Sequence, residues 1–60
     1  MAKFRDLLKA LLVQEFDRTA GEVDALIEKH RDIVGQGVSG GRAALNDTAR
    51  AIVAKEDGHS

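Results

Sequence analysis

Residues 35–40 have the order Gly-Gln-Gly-Val-Ser-Gly and match the pattern G-x-G-x-x-G. In nucleotide-binding proteins this pattern lets backbone amides approach a phosphate at the positive, N-terminal end of a helix. The dinucleotide fingerprint also requires a preceding β-strand and an acidic residue about twenty positions further along. The segment before residue 35 has a helical pattern instead. We therefore interpret residues 35–40 as a flexible turn between helices, with anion binding there as a weaker hypothesis.

A second pattern, formed by Arg42, Asn46 and Arg50, recurs at every fourth residue and would lie along one side of a helix. Arginine and asparagine read guanine and adenine in the major groove through paired hydrogen bonds, so this row is typical of one way to bind DNA. However, residues 38–60 carry three basic and three acidic side chains, without the positive surplus expected of a DNA-binding segment. A nucleic-acid-binding regulator is therefore the alternative function, and a solvated helix face is the simpler interpretation.

The residues that could catalyse a reaction or bind a metal are few. His30 lies on an apolar helical face, whereas His59 lies in a polar C-terminal segment and has no helix-spaced histidine partner. The chain contains no cysteine, so we predict no metal site and no cofactor. Ser39 and Ser60 have no histidine–carboxylate relay to activate them, and the acidic side chains of residues 19–37 are expected to point into solvent. The sequence therefore predicts a protein that is not an enzyme.

The strongest apolar stripe belongs to the first helical segment, where apolar residues follow a spacing of three and four. Part of this segment, Leu8-Lys-Ala-Leu11-Leu12, matches L-x-x-L-L, a pattern that binds apolar grooves on partner proteins when it is helical. We expect these leucines to be mainly the chain's own core, since a domain this small has little apolar surface to spare. The candidate residues for an interface with another protein, or with a second copy of this chain, are Phe4, Leu8, Leu12, Phe16 and Val38.

The predicted fold is all-α: a small three-helix bundle with helices over about residues 2–16, 20–36 and 41–55, and a glycine-rich loop before the last helix. The absence of proline and the abundance of Ala, Leu, Glu, Lys and Arg favour helix throughout. Thr19 followed three residues later by Glu22 predicts a capping box at the start of the second helix. Ser39 is a candidate cap for the third helix.

Two interpretations of the end of the second helix remain open. In the preferred one, a single helix runs to Gln36, and Gly37 is the left-handed residue that follows it. In the other, the helix ends at His30 or Arg31, and Asp32 caps a separate short turn that runs to Gly37.

Length and composition limit the function further. The chain has 60 residues, 43% of them apolar and 32% charged, with a net charge of −1. This composition is typical of a folded chain and not of a disordered one. We predict one helical domain, residues 1–56, followed by a polar tail at 57–60. The longest apolar run covers residues 10–13, far short of the roughly 20 residues of a membrane-spanning helix. We therefore predict a cytoplasmic, non-enzymatic module that contacts another protein or its own copy.

Overall fold

In a computed structural model, residues 3–58 are described, and within that range the chain is all-α and has no β-strand. The helices are α1 (Phe4–Glu15), α2 (Ala20–Lys29), α3 (Arg31–Gly40) and α4 (Leu45–Glu56), with a 3₁₀ turn (Gly41–Ala44) between the last two. The predicted all-α class and small helical bundle are therefore confirmed, with corrected helix bounds. Within residues 3–58, none of the helices combines the length and the apolar composition that a membrane-spanning helix needs. The predicted helix start at residue 2 lies outside the described residues.

The start of α2 has the geometry that its sequence predicts. The Glu22 amide donates to Thr19 Oγ1 at 3.2 Å, and the Glu22 carboxylate accepts from the Thr19 amide at 3.5 Å. These reciprocal bonds form the capping box and satisfy amides that the first helical turn leaves without partners. Just before it, Asp17 has a φ of 57°, which turns the chain between α1 and α2.

The preferred single helix over residues 20–36 is wrong, because the chain breaks at His30. The His30 backbone, with φ −110° and ψ 35°, leaves the helical region. Its amide still donates to the Leu26 carbonyl at 2.9 Å, and its carbonyl accepts from the Val34 amide at 3.1 Å. One residue therefore joins α2 to α3 without a loop. The competing interpretation places the break correctly, but the second segment is a longer helix than the short turn it envisaged.

The predicted glycine-rich loop at residues 35–41 is also wrong, since residues 35–40 form most of α3 and Gly41 begins the 3₁₀ turn. Ser39 consequently lies inside α3 and is not a cap. The left-handed residue that ends the helix is Gly41, with φ 67°, and not Gly37. A glycine in a helix interior costs about 1 kcal/mol relative to alanine. Tertiary packing must therefore offset the poor helical propensity of α3.

That packing is tightest where α3 meets α4. A Cβ atom added to Gly37 would collide with Thr48 Oγ1 and would lie 3.0 Å from Phe4 Cζ. Thr48 is itself only 4% exposed, and its hydroxyl donates to the Ala44 carbonyl at 2.7 Å. The missing side chain at Gly37 is thus the reason that the two helices can approach so closely.

The hydrophobic core lies where α1 packs against α2 and α4, while α3 packs mainly on α4 and the 3₁₀ turn. Because α4 contributes the small residue Ala49 beside Ile52, the helices can come close together. The partly buried side chains around this core include Phe4 and Phe16 of the first segment. Its buried members are Leu8, Leu12, Val23, Leu26, Ile27, Val34, Ala49 and Ile52.

Candidate interaction surface

Two of the five predicted interface residues are not accessible. Leu8 and Leu12 are both 0% exposed, because they point from α1 into the core between α2 and α4. A partner cannot reach them in this fold, which corrects their selection as interface candidates. The L-x-x-L-L segment therefore forms the chain's own core.

The other three candidates lie towards opposite ends of the fold. Phe4 begins the helix and Phe16 follows its last residue, so about 18 Å of helix separates them. Both are partly buried against the core. Phe4 lies against Gly37, the residue before Val38 in α3. Phe4 and Val38 therefore lie towards the same end of the fold, and Phe16 lies at the other.

Val38 is the one large apolar side chain of residues 3–58 that is classed as exposed, with 52% of its surface accessible. Its helical neighbours one turn away include Gly35, which carries no side chain, and Val34, which is buried. Val38 therefore has little on its own helix to cover it. We use the name Phe4–Val38 surface for the side chains of Phe4 and Val38 together with the backbone of α3 between Gly35 and Val38.

The row predicted for nucleic acid is exposed, but its first member is not in the expected register. Asn46 and Arg50 lie on α4, whereas Arg42 lies in the 3₁₀ turn. A 3₁₀ turn advances by about 120° per residue and an α-helix by about 100°, so Arg42 is rotated away from the line through the other two. Within the described segment, neither arginine takes part in an ion pair.

The glycine motif does not form a phosphate-binding loop. Its backbone follows an α-helix, so its amides point along α3 and donate within that helix. Gly40 ends α3, and Gly41 begins a 3₁₀ turn of only four residues, whose start has no side-chain cap. The nucleotide interpretation depended on a loop that opens directly into a long helix, and that loop is absent from the described chain.

The acidic side chains of α2 are exposed, as expected, but they are not free of contacts. Glu28 pairs with Arg5 at 3.2 Å, and Asp24 pairs with Lys9 at 3.0 Å, so both join α2 to α1. Exposed pairs of this kind contribute roughly 0–1 kcal/mol each. Their main consequence is to fix how α1 and α2 face one another.

A polar cluster that the sequence did not predict joins the end of α2 to the end of α4. Glu56 accepts from Lys29 Nζ at 3.1 Å, and its other carboxylate oxygen lies 2.9 Å from His30 Nε2. The His30 side chain is only 12% exposed. Asp57, in the predicted polar tail, pairs with Arg18 at 3.5 Å; the remaining tail residues His59 and Ser60 lie outside the described residues.

This cluster, consisting of Lys29, His30 and Glu56, brings together an amine, an imidazole and a carboxylate. Ser39 lies nine residues beyond His30, or about 13 Å along α3, so no relay joins them. Across residues 3–58, no group of three or more potential ligands could hold a metal ion. The arrangement is suited to fastening two helix ends together, and no signal in the sequence links residues that are 26 positions apart.

The cluster makes stability depend on acidity. Hydrogen bonds from His30 and then Lys29 lower the pKa of Glu56 below its ordinary value of 4.5. The ionised form is therefore favoured in the folded chain, and its stabilisation is complete above pH 4.5. That stabilisation is lost as the pH falls through the lowered pKa of Glu56.

We therefore expect Glu56→Gln to reduce the free energy of unfolding at pH 7 and to make less difference as the solution is acidified below pH 4.5. Urea unfolding at several pH values measures both effects. Glu15→Gln is the matched control, because Glu15 is exposed at the end of α1. Equal pH dependence of the stability difference in the two variants would contradict the assigned role of Glu56.

Comparison of the chain with protein-family models, with curated proteins and with solved structures finds no match. The molecule presents two exposed surfaces that could bind a partner. Of these, the Phe4–Val38 surface is the apolar one, and the row of Arg42, Asn46 and Arg50 is the polar one.

Proposed function

We propose that this chain is a small non-enzymatic module that contacts another protein, or a second copy of itself, through the Phe4–Val38 surface. The observation that carries the proposal is the exposure of Val38, 52% of which is accessible on a helix that offers it little cover. Interfaces place apolar anchors of this kind at their centres, where water is excluded on binding. Regulation by such contact and a cytoplasmic location are part of the proposal.

The surroundings of Val38 support an interface better than a reaction centre. Gly35, one turn away, has open space around its Cα, so another backbone or side chain can approach α3 closely there. Phe4 provides an aromatic ring at the same end of the fold, against Gly37. The polar groups that could catalyse a reaction are instead joined to one another in the Lys29–His30–Glu56 cluster.

Self-association is the form of the proposal that is simplest to test. In sedimentation equilibrium over a wide concentration series, the apparent mass of the wild type is expected to rise from 6.5 kDa towards twice that value. Val38→Ser is expected to remain at 6.5 kDa, because it removes the exposed apolar side chain. Gln36→Ser is the control, since it places the same residue at another exposed position of α3.

A wild type that stays monomeric at every concentration would exclude self-association and leave only a different protein as partner. A photo-crosslinking residue at position 38, compared with one at position 36, then tests that form in the native host. The proposal requires a discrete product that depends on position 38. If both positions give the same products, the Phe4–Val38 surface is not an interface.

Nucleic-acid binding is a second candidate, favoured by the exposure of Arg42, Asn46 and Arg50 and by the lack of ion pairs at the two arginines within the described residues. Retention on a mixed-sequence duplex at about 50 mM salt tests it, because phosphate contacts are strong at low salt. A wild type that is not retained under these conditions would remove this candidate.

A further inference from the structure

We propose that α3 is a strap that opens by itself: residues 31–40 unfold locally while α1, α2 and α4 stay folded. Opening uncovers Phe4 at the start of α1 and Thr48 in the first turn of α4, which the closed strap covers. The proposal concerns the chain alone. Because the strap carries Val38 and covers Phe4, opening also takes apart the Phe4–Val38 surface.

The composition of α3 makes it the weakest helix of the fold. Three of its ten residues are glycine, and neither alanine nor leucine is present. Ile33, Val34 and Val38 are β-branched and lose side-chain freedom in a helix. The start of α3 at His30 has no side-chain cap, whereas α2 begins with a complete capping box. Local sequence therefore favours the unfolded form of this segment.

Few side chains hold α3 in place. In the described part of the chain, no side chain of residues 31–40 takes part in an ion pair or in a side-chain hydrogen bond. Its buried residues are Val34, at 8% exposure, and Gly37, which has no side chain to bury; Ile33 is only partly buried against the core. In contrast, α2 buries Val23, Leu26 and Ile27. Segments with so little burial and so few polar contacts are the ones that open locally.

The contacts that hold α1, α2 and α4 together do not depend on α3. Seven of the eight buried core residues belong to α1, α2 and α4. The pairs of Arg5 with Glu28 and of Lys9 with Asp24 join α1 to α2. Glu56 joins α4 to Lys29 and His30 at the point where the strap begins. The remaining three helices therefore keep their contacts when α3 leaves.

Both ends of the strap are suited to act as hinges. His30 anchors its side chain on Glu56 while its backbone already departs from the helix. Gly41 has a φ of 67°, in the left-handed region that glycine adopts without strain. Between these hinges, the strap covers Phe4 and Thr48, which both lie against Gly37. Opening therefore uncovers an aromatic ring and a buried hydroxyl together.

Native-state amide hydrogen exchange on the full chain, at several urea concentrations below the unfolding midpoint, tests the strap. We expect amides of residues 35–40 to exchange at least roughly tenfold faster than those of residues 8–12, and with a weaker dependence on urea. The weaker dependence follows because local opening exposes less surface than global unfolding does.

A matched pair of variants separates local opening from global unfolding. Gly21→Ala and Gly35→Ala each fill open space on an exposed helical position, one in α2 and the other in α3. If α3 opens alone, Gly35→Ala slows exchange in α3 by roughly two- to fivefold. Gly21→Ala then slows exchange in α1 but leaves α3 unchanged, because α2 stays folded in the opened state.

Two outcomes would overturn the proposal. If Gly21→Ala slows α3 and α1 by the same factor, α3 exchanges only through global unfolding. If the amides of residues 35–40 have no protection at all, α3 is not a closed helix and there is no strap to open.

Discussion

Replacing Leu12 with alanine is expected to leave most of the chain unfolded at 25 °C. Leu12 is 0% exposed and lies in the core, so the change removes a buried side chain and creates a cavity. Such changes cost about 3–5 kcal/mol. At roughly 0.05–0.15 kcal/mol per residue, a chain of 60 residues is stable by roughly 3–9 kcal/mol. Small domains lie towards the lower end of that range, so this loss is comparable with the whole stability.

Far-UV circular dichroism in urea measures the effect directly. Leu7→Ala is the control, since Leu7 lies on the same helix and in the same stripe but is partly exposed and does not belong to the core. Its expected loss is about 1 kcal/mol. Equal losses in the two variants would mean that α1 does not turn Leu12 towards the core.

Local patterns were sufficient to predict α1 and the start of α2. In α1, Leu8 and Leu12 are four residues apart, one helical turn, and they mark the face that the structure buries. At α2, Thr19 and Glu22 fix the first turn through bonds between residues only three apart. Both features depend on residues within one helical turn of each other, so they can be predicted from the sequence without the tertiary structure.

The prediction for residues 35–40 is wrong because their glycine content favours a loop, whereas the packing of the fold requires a glycine within a helix. Composition predicts a loop, since glycine is unfavourable in a helix. The segment is nevertheless helical, and Gly37 is needed because its missing side chain leaves room for Thr48 and Phe4. This requirement involves residues from two other parts of the chain, and no local pattern records it.

The candidate surface was only partly predictable for the same reason. The sequence places the interface candidate Val38 in a loop, whereas the structure places it on α3 with 52% of its surface exposed. Leu8 and Leu12 were selected from the same stripe, but helix periodicity cannot tell whether a face meets the chain's own helices or a partner. The contact of His30 with Glu56 spans 26 positions and depends entirely on how α2 and α4 pack.

The two interior glycines of α3 are expected to respond to the same substitution with opposite signs. Gly35→Ala should raise the free energy of unfolding by about 1 kcal/mol, because the new methyl group meets open space and alanine is the better helix former. Gly37→Ala should lower it by about 1–3 kcal/mol, because the methyl group enters space that Thr48 and Phe4 already fill.

Relief of the collision by a simple rotation of Thr48 is costly. The Thr48 hydroxyl is buried and donates to the Ala44 carbonyl at 2.7 Å, so turning it away breaks that hydrogen bond. Even with the hydroxyl turned away, Thr48 Cβ would lie 3.1 Å from the added methyl group. The helices must therefore separate, which weakens the burial of Val34 as well.

Thermal unfolding of both variants and of a double variant tests this explanation. For a domain of this size, about 1 kcal/mol shifts the midpoint by roughly 4–8 °C, so the two single variants should lie on opposite sides of the wild type. Thr48→Ala removes the oxygen that collides with the new methyl group. The double variant Gly37→Ala/Thr48→Ala should therefore lose about 1 kcal/mol or more less stability than the two single variants lose in total. Strict additivity, or equal midpoints for Gly35→Ala and Gly37→Ala, would mean that α3 and α4 do not meet at Gly37 and that its glycine has no packing role.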